Sequence, residues 1–167
     1  YIRRDDLRWK RIWYTLLDFK IGDTALAYEL SAAYLEILPT QTLLTPYAKE
    51  LLDHCKGRYE MHLITNGFET TKWQKMQYSG IAGYFKEVIT SEKSHSLNPH
   101  RDIFEYALKA SKATIEESIM IGDALEVDIL GAINAGWDQV YYNPRKLEHS
   151  RHPTSEAYCL SASTEIL

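Results

Sequence analysis

Apolar residues fall at Trp9, Ile12, Trp13, Leu16 and Leu17, the i, i+3, i+4 repeat of a single helix face. Gly22 interrupts that repeat. Asp23 is placed to cap a second helix, whose stripe is Leu26, Leu30, Ala33, Tyr34 and Ile37 and which stops before Pro39. Two helices separated by so short a break read as an α-hairpin. Its aromatic side chains (Trp9, Trp13, Tyr14, Tyr28 and Tyr34) read as packing residues. A hairpin cannot cover two such stripes by itself, so something else must pack on it.

From Thr40 the pattern changes. Pro46 opens a helix that runs through Leu51 and Leu52 to Gly57, and Tyr59–Thr65 then reads as a strand. A polar helix over Glu69–Tyr78 stops at Gly80, and a short strand covers Glu87–Thr90. Arg101–Ser111 is a helix with Ile103, Phe104, Ala107 and Leu108 on one face. Ser118–Ile121 is an apolar strand that runs into Gly122 and Asp123. Glu126–Ala135 follows as a helix ended by Gly136, and Gln139–Tyr142 is the next strand. Tyr158–Leu160 is a candidate last strand, with a helix starting near Ser163. Strand and helix alternating in this way make βαβ units and a parallel sheet with helices on both faces. In such sheets ligands bind beyond the carboxyl ends of the strands.

Composition narrows the class. The 167 residues fit one domain, or one with a small appendage, and 45% hydrophobic with 25% charged residues is an ordinary globular balance. A net charge of −4 argues against a general nucleic-acid binder. The two cysteines, Cys55 and Cys159, form no disulfide framework and point to a reducing, cytoplasmic setting. No apolar run approaches the roughly 18 residues of a membrane span, and no signal-peptide core opens the chain. The chain starts at Tyr1 without an initiator methionine and enters a helical pattern almost at once.

Two strand ends carry candidate chemistry. Thr65-Asn66-Gly67 closes an apolar strand just before a helix, where a hydroxyl and backbone N–H groups can receive an anion. An ordinary Asn-Gly turn is the alternative. Asp123 and Asp128, five residues apart at the end of the Ser118–Ile121 strand, can face one spot as hard oxygen ligands for Mg²⁺. The alternative has Asp123 capping the helix and Asp128 compensating its dipole. The small residues Gly131, Ala132, Ala135 and Gly136 let that helix sit close to the sheet. His95, His100, His149 and His152 match no zinc spacing.

The order and spacing of these segments resemble the haloacid dehalogenase (HAD) superfamily of phosphohydrolases. LITNGF looks like its second motif, IMIGDALEVDILGAINAG like its fourth, and NPHRDIFEYAL like the stretch around its third. The resemblance implies a HAD-like, Rossmann-like three-layer α/β fold over residues 40–167, preceded by a remnant of an α-helical cap over residues 1–39. It implies phosphate-monoester hydrolysis through an aspartyl-phosphate, as in the branch that includes nucleotidases. Thr65, Asn66 and Gly67 would then bind phosphate, and Asp123 and Asp128 would serve Mg²⁺. The substrate would be a small phosphorylated metabolite, nucleoside monophosphates among the candidates, with neither nucleic acid nor membrane as partner.

Two family elements are missing. No apolar strand ending in Asp-x-Asp precedes the hairpin, so the chain as given lacks the nucleophile and the first, central strand. The third-motif lysine aligns with Asn98, before Pro99; Lys93 is the candidate stand-in, with Arg101 behind it. The central strand could come from residues upstream of Tyr1 or from another chain, a homodimer being one such source, or the two motif-bearing strands could pair directly. A HAD-like binding or interaction module without catalysis is the alternative function.

Overall fold

The computed structural model describes residues 4–161, with side chains from Arg8 onward. The expected helix near Ser163 lies outside the described residues. Two compact units emerge, residues 1–42 and 43–167.

The first unit is the hairpin of α1 (Arg4–Asp18) and α2 (Thr24–Ile37), followed by a 3₁₀ turn over Leu38–Thr40. Asp23 caps α2 as its sequence suggests: its side-chain oxygen accepts from the Leu26 amide at 3.0 Å. Trp9 stacks on Tyr28 with centroids 4.6 Å apart, while Leu16, Ala27 and Ser31 are buried. The other aromatics are less enclosed than packing residues should be. Tyr14, Tyr28 and Tyr34 remain about half exposed.

The second unit alternates strands and helices: α3 (Ala48–Cys55), β1 (Met61–Thr65), α4 (Glu69–Tyr78), β2 (Phe85–Thr90), one-turn α5 (Ser91–Ser94), α6 (Arg101–Ser111), β3 (Ile119–Gly122), α7 (Leu130–Ala135), β4 (Asp138–Tyr142) and β5 (Ser155–Ala157). All strand pairs are parallel, which makes a Rossmann-like α/β domain. Three expected elements differ from their expected form, and one helix is added. Pro46 sits in a turn ahead of α3, closed by the Ala48 amide on the Thr45 carbonyl at 3.0 Å, and Tyr47 takes the left-handed conformation there. The helix expected from Glu126 begins as a wide π-type turn over Leu125–Ile129 before α7 continues it. The last strand is Ser155–Ala157, not Tyr158–Leu160, because Val140, Tyr141 and Tyr142 of β4 pair with those three residues. The Ser91–Ser94 helix, capped by the Thr90 hydroxyl on the Lys93 amide, carries no apolar repeat to announce it.

The strands form two ladders rather than one sheet: β1 pairs with β2, and β4 lies between β3 and β5. The two motif-bearing strands, β1 and β3, therefore do not pair directly, and among the described residues no strand joins them. One apolar core serves both ladders. Ile89 of β2, Ile103, Phe104 and Ala107 of α6, Ala132 and Ala135 of α7, and Trp137 form its centre, with Ile64 of β1 and Met120 of β3 packed against it. Phe104 is fully buried and meets Trp137 edge to face at 5.3 Å, a favoured geometry for aromatic quadrupoles. Alanine and glycine on α7 allow the approach. A Cβ on Gly131 would stand 2.8 Å from the Phe104 ring and 2.9 Å from Asn98 Oδ1.

Candidate active site

The carboxyl ends of β1 and β3 bring their turns together. At the end of β1, the Gly67 amide donates to Thr65 Oγ1 at 3.2 Å, so the hydroxyl closes its own turn. The sequence suggests that Gly67 is needed for a tight backbone turn. Its φ is not in the left-handed region, unlike those of Gly57, Gly80 and Gly136. Space is the constraint instead: a Cβ there would run into Cε of Lys72 and stand 2.9 Å from its Cγ. At the end of β3, a Cβ on Gly122 would collide with the Asp128 side chain, whose Oδ2 would lie 2.6 Å away. Asp128 thus folds back over the strand end, as the small residue before Asp123 permits.

A polar bracket connects the two ends. Asn66 Nδ2 donates to the Asn98 carbonyl at 2.9 Å, and the Asn98 amide donates back to Asn66 Oδ1 at 2.8 Å. From its other end, Asn98 Nδ2 donates to Asp128 Oδ1 at 2.7 Å. Asp128 Oδ2 accepts from the Ala124 amide at 3.2 Å, which ties the π-type turn to the same carboxylate. Asn98 is buried, and the Asn98–Pro99 peptide is cis. Position 98 therefore holds a neutral brace between the β1 turn and Asp128. The side-chain part of Asn66 and the brace at Asn98 are functions that motif reading did not supply, because they depend on contacts across 32 and 30 residues.

Electrostatics separate the two aspartates. Asp123 is exposed. Asp128 is half-buried, and desolvation pushes its carboxyl above the usual aspartate range. The Asp123 charge adds to that rise, while the Ala124 amide and Asn98 oppose it. Among the described residues, no group of three or more His, Cys, Asp or Glu side chains could hold a metal ion. Two carboxylates on one turn suit a hard cation that keeps waters and takes phosphate oxygens, as Mg²⁺ does. Asp123 could ligate such an ion directly. Both Asp128 oxygens already accept a hydrogen bond, which suits Asp128 to support such a ligand or its waters.

The other candidates are engaged elsewhere. Lys93 Nζ pairs with Glu69 Oε1 at 3.1 Å and donates to the Val88 carbonyl at 3.3 Å, so its charge is already matched. Arg101 pairs with Glu105 one turn along α6 at 2.9 Å on the surface. His149 lies near Glu156 at 3.4 Å, in no metal-ligating group. No described helix is long and apolar enough to cross a membrane.

Known proteins with this arrangement are numerous. Pyrimidine 5′-nucleotidase YjjG of Escherichia coli is 31% identical over 121 residues, 72% of this chain and 54% of that protein. A glyceraldehyde 3-phosphate phosphatase of Methanothermobacter thermautotrophicus is 35% identical over 112 residues, 65% of this chain and 50% of that protein. The chain thus spans about half the length of the curated relatives it matches. Among solved structures, the magnesium-bound HAD-hydrolase YfnB of Bacillus subtilis aligns with a TM-score of 0.87 at 26% identity, over 99% of this chain and 72% of that one. A family-wide sequence profile for haloacid dehalogenase-like hydrolases matches residues 3–136, and the chain belongs to that family.

Proposed function

We propose that this chain is part of a magnesium-dependent phosphohydrolase that cleaves a small phosphorylated metabolite. The convergence of the Thr65-Asn66-Gly67 turn and the Asp123–Asp128 turn, held by Asn98, carries the reading. In this reading Thr65 and the amides of its turn receive the phosphoryl oxygens. Asp123 holds the ion and Asp128 steadies it. Mg²⁺, when bound, neutralises charge on the phosphoryl group. The attacking aspartate belongs on a strand lying between β1 and β3, whose facing edges share no ladder. In this reading that carboxylate forms a bond to phosphorus as the ester oxygen leaves with a proton from the acid/base aspartate of the same strand, which then takes a proton from the water that releases phosphate from the acyl phosphate. The relatives act, by their names, on pyrimidine nucleotides and glyceraldehyde 3-phosphate, so nucleoside monophosphates and phosphorylated sugars are the substrates to try first.

The test is hydrolysis of para-nitrophenyl phosphate by the whole protein with and without Mg²⁺. Asp123→Ala should abolish turnover and leave the melting temperature unchanged, since the side chain is exposed. Equal rates in the variant and the parent would rule out the assignment. One observation favours a second reading, a HAD-like module that binds phosphate without turnover: the neutral Asn98 stands where the family resemblance puts a lysine. Binding of inorganic phosphate with no hydrolysis of any ester would decide for it.

A further inference from the structure

A phosphate dianion entering this site would meet two carboxylates and a neutral amide. Lys93 and Arg101 are already paired with acids. Lys72, at the end of the first turn of α4, is different. Its aliphatic stem lies across Gly67, with Cγ 2.9 Å and Cδ 3.1 Å from where a Cβ would stand and Cε nearer still. The ammonium is one bond beyond that Cε, beside the peptide that completes the Thr65-Asn66-Gly67 turn. Among the described residues no carboxylate pairs with Lys72. The glycine at position 67 leaves room for this stem, while its backbone φ lies outside the left-handed region.

We propose that Lys72 is the cation of the phosphate site, supplying from α4 the positive charge that Asn98 does not supply from the third-motif loop. The stem lies over the turn, and no ion pair among the described residues stands for a substrate to break. Desolvation lowers the affinity of this amine for its proton, and Lys75 adds to that effect. An arriving phosphate compensates both. The proposal rests on the phosphohydrolase reading above and concerns one residue of the same site.

Inorganic phosphate is the probe, because its binding can be read without turnover. In the whole protein, Lys72→Met keeps the stem over Gly67 and removes the charge. Its calorimetric Kd for phosphate should rise about tenfold or more, and Lys72→Arg should stay within about threefold of the parent. If hydrolysis occurs, KM for para-nitrophenyl phosphate should rise in parallel in the Met variant while its melting temperature holds. A Met variant whose phosphate Kd stays within about twofold of the parent overturns the proposal, as does a parent that binds no phosphate. A parent that binds phosphate yet hydrolyses no ester refutes the phosphohydrolase reading alone, and the Kd comparison still decides Lys72.

Discussion

Asn98→Asp is the sharpest perturbation of the polar bracket. It puts a carboxylate where an amide now donates to Asp128 Oδ1 at 2.7 Å. With both groups ionised, two unit charges near 3 Å at an effective dielectric constant of about 20 repel by roughly 5–6 kcal/mol. The pair can instead bind one proton. For a carboxyl with an ordinary pKa near 4, that costs about 4 kcal/mol at pH 7, at roughly 1.4 kcal/mol per pH unit. The cheaper route sets the penalty, so about 4 kcal/mol is the ceiling. Burial already favours protonated Asp128 and brings the figure lower. The shared proton raises the native pKa of the pair above its unfolded value. The lost stability is therefore recovered below the ordinary aspartate range and disappears as pH rises through the raised native value. Urea unfolding at pH 4, 5.5 and 7 should find the variant within about 1 kcal/mol of the parent at pH 4 and worse by several at pH 7. Asn98→Ala is the control: it removes a charge-assisted donor without adding charge, at about 1.5–3 kcal/mol. If Asn98→Asp is no less stable than Asn98→Ala at pH 7, or its deficit is the same at pH 4, Asn98 does not brace Asp128.

Gly131→Ala should destabilise by about 1–3 kcal/mol in a denaturant melt, since its Cβ would press on the Phe104 ring and on Asn98 Oδ1, neither of which can retreat from the core. Asp123→Asn should lower the raised carboxyl of Asp128 only part of the way, as followed by carboxyl-carbon NMR, because burial is the first cause of that rise. Complete return to the ordinary aspartate value would mean that charge, not burial, controls Asp128. Because that pKa is raised in the folded state, the Asp128 contribution favours folding below the unfolded value and is lost as pH rises through the native one.

Legibility from sequence followed the range of the interactions. The helices Glu69–Tyr78 and Arg101–Ser111 were readable to the residue because their determinants are local: flanking turn residues, and for the second an apolar face. The β5 strand was misplaced because its register is set by β4 pairing rather than by its own short Ser-Glu-Ala sequence. The π-type turn at Leu125–Ile129 has no periodicity that separates it from the helix it opens, and the Val127, Asp128 and Ile129 amides all converge on the Ala124 carbonyl. At the site, the strand-end residues were legible as motifs. Lys72 and the Asn66 side chain were not, since their significance lies in a stem crossing a glycine and in an amide reaching Asn98.

The identity of residue 98 makes sense once the two ladders are considered together. Among the described residues no strand bridges β1 and β3, and within them the two turns are aligned by the shared core and by side-chain bonds. The core fixes the strands through Ile64 and Met120, but it does not reach the polar turns beyond them. Asparagine reaches Asp128 with a short, planar group while its own backbone is paired to the Asn66 amide, so three residues from distant parts of the chain are held in one frame. A lysine has a longer stem with more rotatable bonds and delivers a point charge with less positional control. Asparagine here exchanges charge for position. A side-chain cation for an anion in this site then has to come from another element, and α4 is the element whose lysine stem lies over the Thr65-Asn66-Gly67 turn.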